Sequence, residues 1–294
     1  MYDAQFQLLL AFAAFINIKD IQNLHFILAF IQLLHDNGLS RGTVANYISA
    51  CKHNFQAFDL NHKVFHHHQV QLLLKSFDIN RPLQFKPKGI ISIALLQEII
   101  NTCSILPFPV LFQAIFLFAY FSFLRISNLA PPTASSFDLT RHLTRGDVIW
   151  GPPGAHIIIK WAKSLQLRGQ FQVVQIPMLH ASVLCPVKAL KKYLSLSQVH
   201  VNQPLFCNIN GSPVTQTHIR NALATILRHL GLPPDQFTFH AFRRSGATLA
   251  FNNNVQLQNI QLHGGWRSSA IWAYLNSTHQ AAGQVARTFQ QFFT

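Results

Sequence analysis

The stretch Phe239-His240-Ala241-Phe242-Arg243-Arg244 decides how the rest of this 294-residue chain is read. His240 and Arg243 are three positions apart, so on a helix they share one face. A guanidinium is a planar fork that grips a phosphate through two parallel hydrogen bonds. Gly264-Gly265-Trp266 and then Tyr274 follow downstream, and a tyrosine hydroxyl can act as a nucleophile toward phosphorus. Another arginine, Arg125, stands far upstream in Phe123-Leu124-Arg125-Ile126-Ser127-Asn128-Leu129. Two arginines, a histidine and a tyrosine form a constellation suited to cleaving a phosphodiester without a metal.

Composition narrows the alternatives. The chain carries 23 Lys and Arg against 9 acids, a formal net charge of +14. Such an excess points to a polyanionic partner, nucleic acid or an anionic surface. Glu98 is the single glutamate, and the aspartates Asp3, Asp20, Asp36, Asp59, Asp78, Asp138, Asp147 and Asp235 are scattered. A two-metal nuclease needs several carboxylates and a glycosidase needs a pair, so neither is favoured. No metal and no cofactor is expected. Cys51, Cys103, Cys185 and Cys207 follow no CxxC spacing and read as reduced thiols of an intracellular protein. His66-His67-His68 offers three imidazoles, but adjacent residues of a helix point different ways, which favours a solvated or DNA-facing surface over a metal site.

Residues 105–124 are apolar enough to raise a transmembrane reading. Pro107, Pro109 and Gln113 interrupt them and Arg125 follows at once. A helix starting near Val110 and fully buried in a globular core fits better. The N-terminus lacks the basic start and small-residue cleavage site of a signal peptide.

Residues 1–80 read as a helical bundle. Phe6 to Ile16 and Leu24 to Leu34 are apolar, and Asp36-Asn37-Gly38 is a C-cap signal. Ser40 caps a helix with Val44, Tyr47, Ile48, Cys51 and Phe55 at helical spacing. Its other faces carry Arg41, Asn46, Lys52 and His53, so it either lies against a DNA backbone or presents a solvated polar face. Residues 81–91, with two prolines, a glycine and the cations Arg81, Lys86 and Lys88, read as a basic linker. Residues 92–294 form the second domain. Helices are expected near 92–103, 110–129, 185–197, 215–230, 240–252, 256–262 and 268–275. His156 to Trp161 and Gln172 to Ile176 are β-branched runs flanking Ser164 to Gly169, which predicts a hairpin. The fold class is therefore mainly α with a small β-sheet or hairpin, α+β. A tail stripe of Ala281, Val285, Phe289 and Phe292 closes the chain.

The ordered motifs resemble the tyrosine recombinases, the phage-integrase class of site-specific DNA recombinases. Phe-Leu-Arg-Ile-Ser-Asn-Leu resembles the first catalytic-arginine box of that family, which implies that role for Arg125. Phe-His-Ala-Phe-Arg-Arg resembles the HxxR box and implies His240 and Arg243. Leu262-His263-Gly264-Gly265-Trp266 resembles the box ending in His or Trp, with Trp266 in that position, and Tyr274 corresponds to the nucleophile. Trp161-Ala162-Lys163-Ser164 resembles the turn bearing the catalytic lysine, so Lys163 is the expected residue and Lys160 its alternative. His263 is read as structural or as a support to the catalytic residues rather than as one of them.

The resemblance implies an N-terminal core-DNA-binding domain followed by a catalytic tyrosine-recombinase domain. It also implies double-stranded DNA as substrate and a metal-independent strand transferase working through a 3′-phosphotyrosyl intermediate. A homotetramer assembled on DNA through the C-terminal helix, a monomer when free, and no membrane association are expected. Residues 137–148 and the tryptophan box most resemble recombinases of eukaryotic DIRS- and Ngaro-type mobile elements, which implies integration or excision of an element in the nucleus. Arg41, Lys52, Lys86, Lys88 and Arg244 are the further DNA-binding candidates.

Two features depart from the family pattern. Asn128 stands where many members carry Glu or Asp, and Trp266 to Tyr274 is one residue shorter than in many bacterial members. They leave room for a catalytically silent DNA-binding protein. A type IB topoisomerase, which shares the chemistry, is the other rival.

Overall fold

The structure, a computed structural model, describes residues 3–80, 88–152, 154–161, 171–196, 200–266, 269–273 and 275. Lys86, Lys163, Tyr274 and the tail stripe lie outside the described residues. The chain divides into two compact units, Met1–Lys86 and Pro87–Thr294.

The first unit is helical. It contains α1 (Asp3–Phe15), α2 (Leu24–Asp36), α3 (Arg41–Ala57), a 3-10 turn (His62–His66) and α4 (His68–Asn80). Short polar side chains start the helices. The Asn23 side chain accepts from His25 N at 2.9 Å, and Ser40 Oγ accepts from Thr43 N at 3.2 Å. Each satisfies a backbone donor that a first helical turn leaves open. Phe30, Ile31, Val44, Cys51 and Phe55 are buried at helical spacing and form the core of the bundle. Arg41 and Lys52 stand eleven residues apart on α3, about 20° apart around the axis, on one side of that helix. His66 ends the 3-10 turn, His67 caps it and His68 opens α4, all three exposed. No group of three or more metal-ligating side chains is gathered among the described residues.

The second unit holds α5 (Ile93–Thr102), α6 (Pro109–Ser122), α7 (Ile126–Leu129), β1 (Val148–Gly151), β2 (Gly154–Ile159), β3 (Gln172–Pro177), α8 (Pro186–Ser195), α9 (Gln216–His229), α10 (His240–Asn252) and α11 (Leu257–Gly264). A 3-10 turn, Ser269–Ala273, lies where a further helix was expected. The strands form one antiparallel sheet in the order β1-β2-β3, with Val148 opposite Ile157 and Ile159 opposite Gln172. The hairpin expected from the sequence is β2 and β3; β1 is an additional edge strand.

The apolar stretch 105–124 contains α6, which Pro109 opens at its first position. Residues Ala114 to Tyr120 are all buried within the core of this unit. Among the described residues no helix is long and apolar enough to cross a membrane. The sequence suggested one helix over 110–129, but the chain leaves the helix at Phe123. That residue adopts φ 53° and ψ 26°, a left-handed C-cap, and α7 starts afresh after Arg125. A left-handed aromatic is an uncommon conformation. It persists because the Phe123 ring is buried against Trp266 and His263.

Helix α10 packs closely on α6. A Cβ at Gly246 would stand 2.2 Å from the Tyr120 carbonyl oxygen and 2.6 Å from the Phe123 ring. The absence of a side chain there lets the two helices approach. The rings of Phe116 and Phe242 stack across the same interface at 5.2 Å.

Candidate active site

Arg125 sits at the N-cap of α7, where the break after α6 turns it toward the start of α10. Asn128 stabilises that turn in both directions. Its Oδ1 accepts from Arg125 N at 3.3 Å, and its own N–H donates to Arg125 O at 2.9 Å. His240 is the first residue of α10, and Arg243 follows one turn later.

Arg243 is 1% exposed. Its Nη1 donates to the carbonyl of Phe123, the residue in the left-handed conformation. Its guanidinium carbon lies 3.6 Å from the centre of the Trp266 ring, a cation–π contact. Two glycines deliver that ring. Gly265 holds φ 67°, and a Cβ at Gly264 would stand 1.8 Å from the Trp266 indole. The ring thus folds back across its own backbone, which only glycine at 264 permits.

One small cleft is lined by Arg125, Asn128, Gln172, Arg243, Gly264 and Gly265. His240 stands in the same electrostatic environment. Burial, then Arg243, Arg125, Arg244 and Lys88, push its pKa from 6.5 down to about 4. The imidazole is neutral at physiological pH and one ring nitrogen is a proton acceptor. A cluster of cations around a neutral base suits an anionic group such as a phosphate.

Lys160 is committed elsewhere. Its Nζ lies 2.7 Å from Asp147 Oδ2, and the same oxygen accepts from Thr144 N and Thr144 Oγ1 at 2.7 and 2.8 Å. Arg244, expected among the DNA-facing cations, is instead 8% exposed and donates to Gly89 O at 2.5 Å. Gly89 N donates to Gln236 O at 2.9 Å, and Ile91 N to Ser245 Oγ at 2.7 Å. The end of the basic stretch is thereby laid along α10, which brings the exposed Lys88 near His240.

His263 donates from Nε2 to Phe121 O at 2.9 Å, with its ring against Phe123 at 4.6 Å. Burial, and Arg243 after it, lower its pKa. Gln172, which no spacing or motif singled out, opens β3 and lines the cleft. Of the residues expected from the sequence, Arg125, His240, Arg243 and Trp266 are therefore brought together. Lys163 and Tyr274 lie outside the described residues.

The second unit is thus a mainly helical domain with a three-stranded antiparallel sheet, in which two arginines and a histidine are gathered. Residues 90–280 match the phage integrase family, and the chain belongs to that family. A relative is the integrase/recombinase xerD homolog of Selenomonas ruminantium, 28% identical over 125 residues. The match covers 40% of this chain and 36% of that protein, so this chain corresponds to about a third of the relative's length. Among solved structures, the XerH site-specific recombinase bound to its palindromic difH substrate superposes with a TM-score of 0.61. It is 19% identical, with 90% of this chain and 69% of that chain covered. The Tn1549 transposon integrase in complex with transposon right end DNA gives a TM-score of 0.60 at 18% identity, covering 92% and 84%. At these identities the structures establish a shared fold.

Proposed function

We propose that this chain is a tyrosine recombinase that cuts and rejoins double-stranded DNA through a covalent 3′-phosphotyrosyl intermediate. The observation that carries the reading is the convergence of Arg125, Arg243 and Lys88 about a neutral His240, with Trp266 laid over Arg243. In this reading Arg125 and Arg243 hold the non-bridging oxygens and offset charge as it develops. The Tyr274 hydroxyl attacks phosphorus, and His240 positions the phosphate and takes the tyrosine proton. Lys163 gives a proton to the departing 5′-hydroxyl. The ion pair between Lys160 and Asp147 supports Lys163 over Lys160 for that step. Trp266 covers Arg243 and donates its indole N–H to phosphate. The phosphotyrosyl bond conserves the energy of the broken diester, so a second 5′-hydroxyl reverses the step without ATP or metal.

The first unit acts as the core-DNA-binding domain, with Arg41 and Lys52 on one side of α3 meeting phosphates; Lys86 and Lys88 are further DNA contacts. The biological role is integration or excision of a mobile element, of the eukaryotic DIRS or Ngaro type, in the nucleus. Its working form is a tetramer on DNA linked through the C-terminal tail, whose apolar stripe Ala281, Val285, Phe289 and Phe292 suits a neighbour's surface.

The test is covalent trapping on a pool of nicked duplexes with randomised sequence around the nick. The wild-type chain is expected to form adducts that resist denaturant and are lost in Tyr274→Phe. A wild-type chain that traps no duplex from the pool overturns the reading in favour of a silent DNA-binding protein. Relaxation of any supercoiled plasmid without site preference favours topoisomerase action instead.

A further inference from the structure

The cleft between Arg125 and Arg243 is walled on one side by the ends of β2 and β3, and two uncharged amides hold that wall. Asn128, 4% exposed, accepts at Oδ1 from Arg125 N and donates from Nδ2 to Trp161 O at 2.9 Å. Both partners are backbone groups of fixed polarity, so the amide has one orientation. Trp161 is the second residue after β2, and Lys163 is two residues further along the sequence. At the other end, Gln172 donates from Nε2 to Leu262 O at 2.8 Å and His263 O at 2.9 Å. Those are terminal carbonyls of α11, beyond its regular hydrogen-bond ladder, and Leu262 O accepts from Gly265 N at 3.2 Å as well. Three residues on stands Trp266. Gly265 leaves the room this needs, since a Cβ there would lie 2.6 Å from Gln172 Oε1.

We propose that Asn128 and Gln172 are positioning residues that tie the ends of β2 and β3 to the Arg125 turn and to the Trp266 turn, and so support the proton-donating step that the recombinase reading gives to Lys163. The proposal rests on the recombinase reading. Its chemical core is that both sites require a donor. A carboxylate at 128 still accepts from Arg125 N but faces the Trp161 carbonyl with a second acceptor. A carboxylate at 172 faces two carbonyls. The acidic residue that many relatives carry at position 128 is therefore the wrong one for this chain. Losing a buried donor to an acceptor of full charge is a costly exchange.

Single-turnover adduct formation on one duplex recovered from the nicked pool, in two forms, tests this. One form has the natural 5′-oxygen at the scissile bond. In the other it is replaced by sulfur. Cleavage of either forms a Tyr274 O–P bond and breaks the P–O or P–S bond; the oxygen must leave with a proton, whereas the thiolate leaves without one. Asn128→Asp and Gln172→Glu are expected to slow the oxygen substrate about tenfold or more and the sulfur substrate less than about threefold, both read with the DNA fully bound at saturating protein. Lys163→Ala should show the same pattern. Equal slowing on both substrates marks a merely structural role and overturns the proposal, as does unchanged cleavage of both. Gln172 is half-buried, so its variant carries the test if Asn128→Asp weakens the fold. A wild-type chain that attacks neither substrate defeats the recombinase reading, and the proposal with it.

Discussion

The guanidinium of Arg243 lies 3.6 Å from the face of Trp266, closed in between that ring and the carbonyl of Phe123. The indole thus acts as a lid that keeps a buried cation in one orientation. Trp266→Phe retains an aromatic face and should lower adduct formation by about tenfold or less, the scale of a weakened cation–π contact. Trp266→Ala removes the face and opens a void, which should lower stability by about 3 kcal/mol and reduce adduct formation further. Thermal melts alongside trapping assays separate the two losses.

The ion pair of Lys160 and Asp147 predicts a contrast between neighbouring lysines. Lys160→Met leaves a mostly buried carboxylate without its cation, so the melting temperature should fall, by the equivalent of about 1–3 kcal/mol. Cleavage by the folded fraction should change little. Lys163→Ala should leave the melt almost unchanged and slow cleavage by about a hundredfold, the usual scale of general-acid loss. The reverse result would return the catalytic role to Lys160.

The depressed His240 makes stability depend on pH. Its pKa is about 4 in the folded chain against an ordinary 6.5. Between these values the unfolded chain binds a proton that the folded chain refuses, so stability rises with pH. The contribution is fully present above pH 6.5 and is lost as pH falls toward 4. Denaturant titrations at pH 7 and pH 4.5 should show that loss, and His240→Asn should flatten it. A His240 ring proton resonance that titrates near 6.5 in the free protein contradicts this account.

Close approach of α6 and α10 can be checked at one glycine. Gly246→Ala places a methyl against the Tyr120 carbonyl and the Phe123 ring. Overpacking there should cost about 1–3 kcal/mol, and more if the backbone cannot yield. Because Phe123 also presents its carbonyl to Arg243, cleavage should fall with stability.

Much of this arrangement is legible in the sequence because its signals are local. Ser40 and Pro109 announce helix starts, the β-branched runs announce β2 and β3, and the spacing of His240 and Arg243 places both on one helix face. What escaped has causes that act at a distance. Phe123-Leu124 continues the apolar run of α6 with no Gly or Pro, so the left-handed turn leaves no local mark; its support comes from Trp266, more than a hundred residues on. Strand β1 is four residues long and follows a 3-10 turn, too short for alternation to show. The sequence favours Lys163 over Lys160 only through the Trp161-Ala162-Lys163-Ser164 turn; the pairing of Lys160 with Asp147 leaves no mark in it. Arg244 sits beside Arg243 in the sequence, yet one helical step of about 100° sends it to Gly89 instead.

Cations gathered about an uncharged imidazole have a thermodynamic consequence for the chain as a whole. Arg125, Arg243, Arg244 and Lys88 all act on His240, so folding brings them into one neighbourhood. An anion that binds there binds only the folded chain, and so acts as a folding ligand. A polyanion that fills the cluster should then protect the chain from unfolding and proteolysis, tying its persistence in a cell to time spent on its substrate.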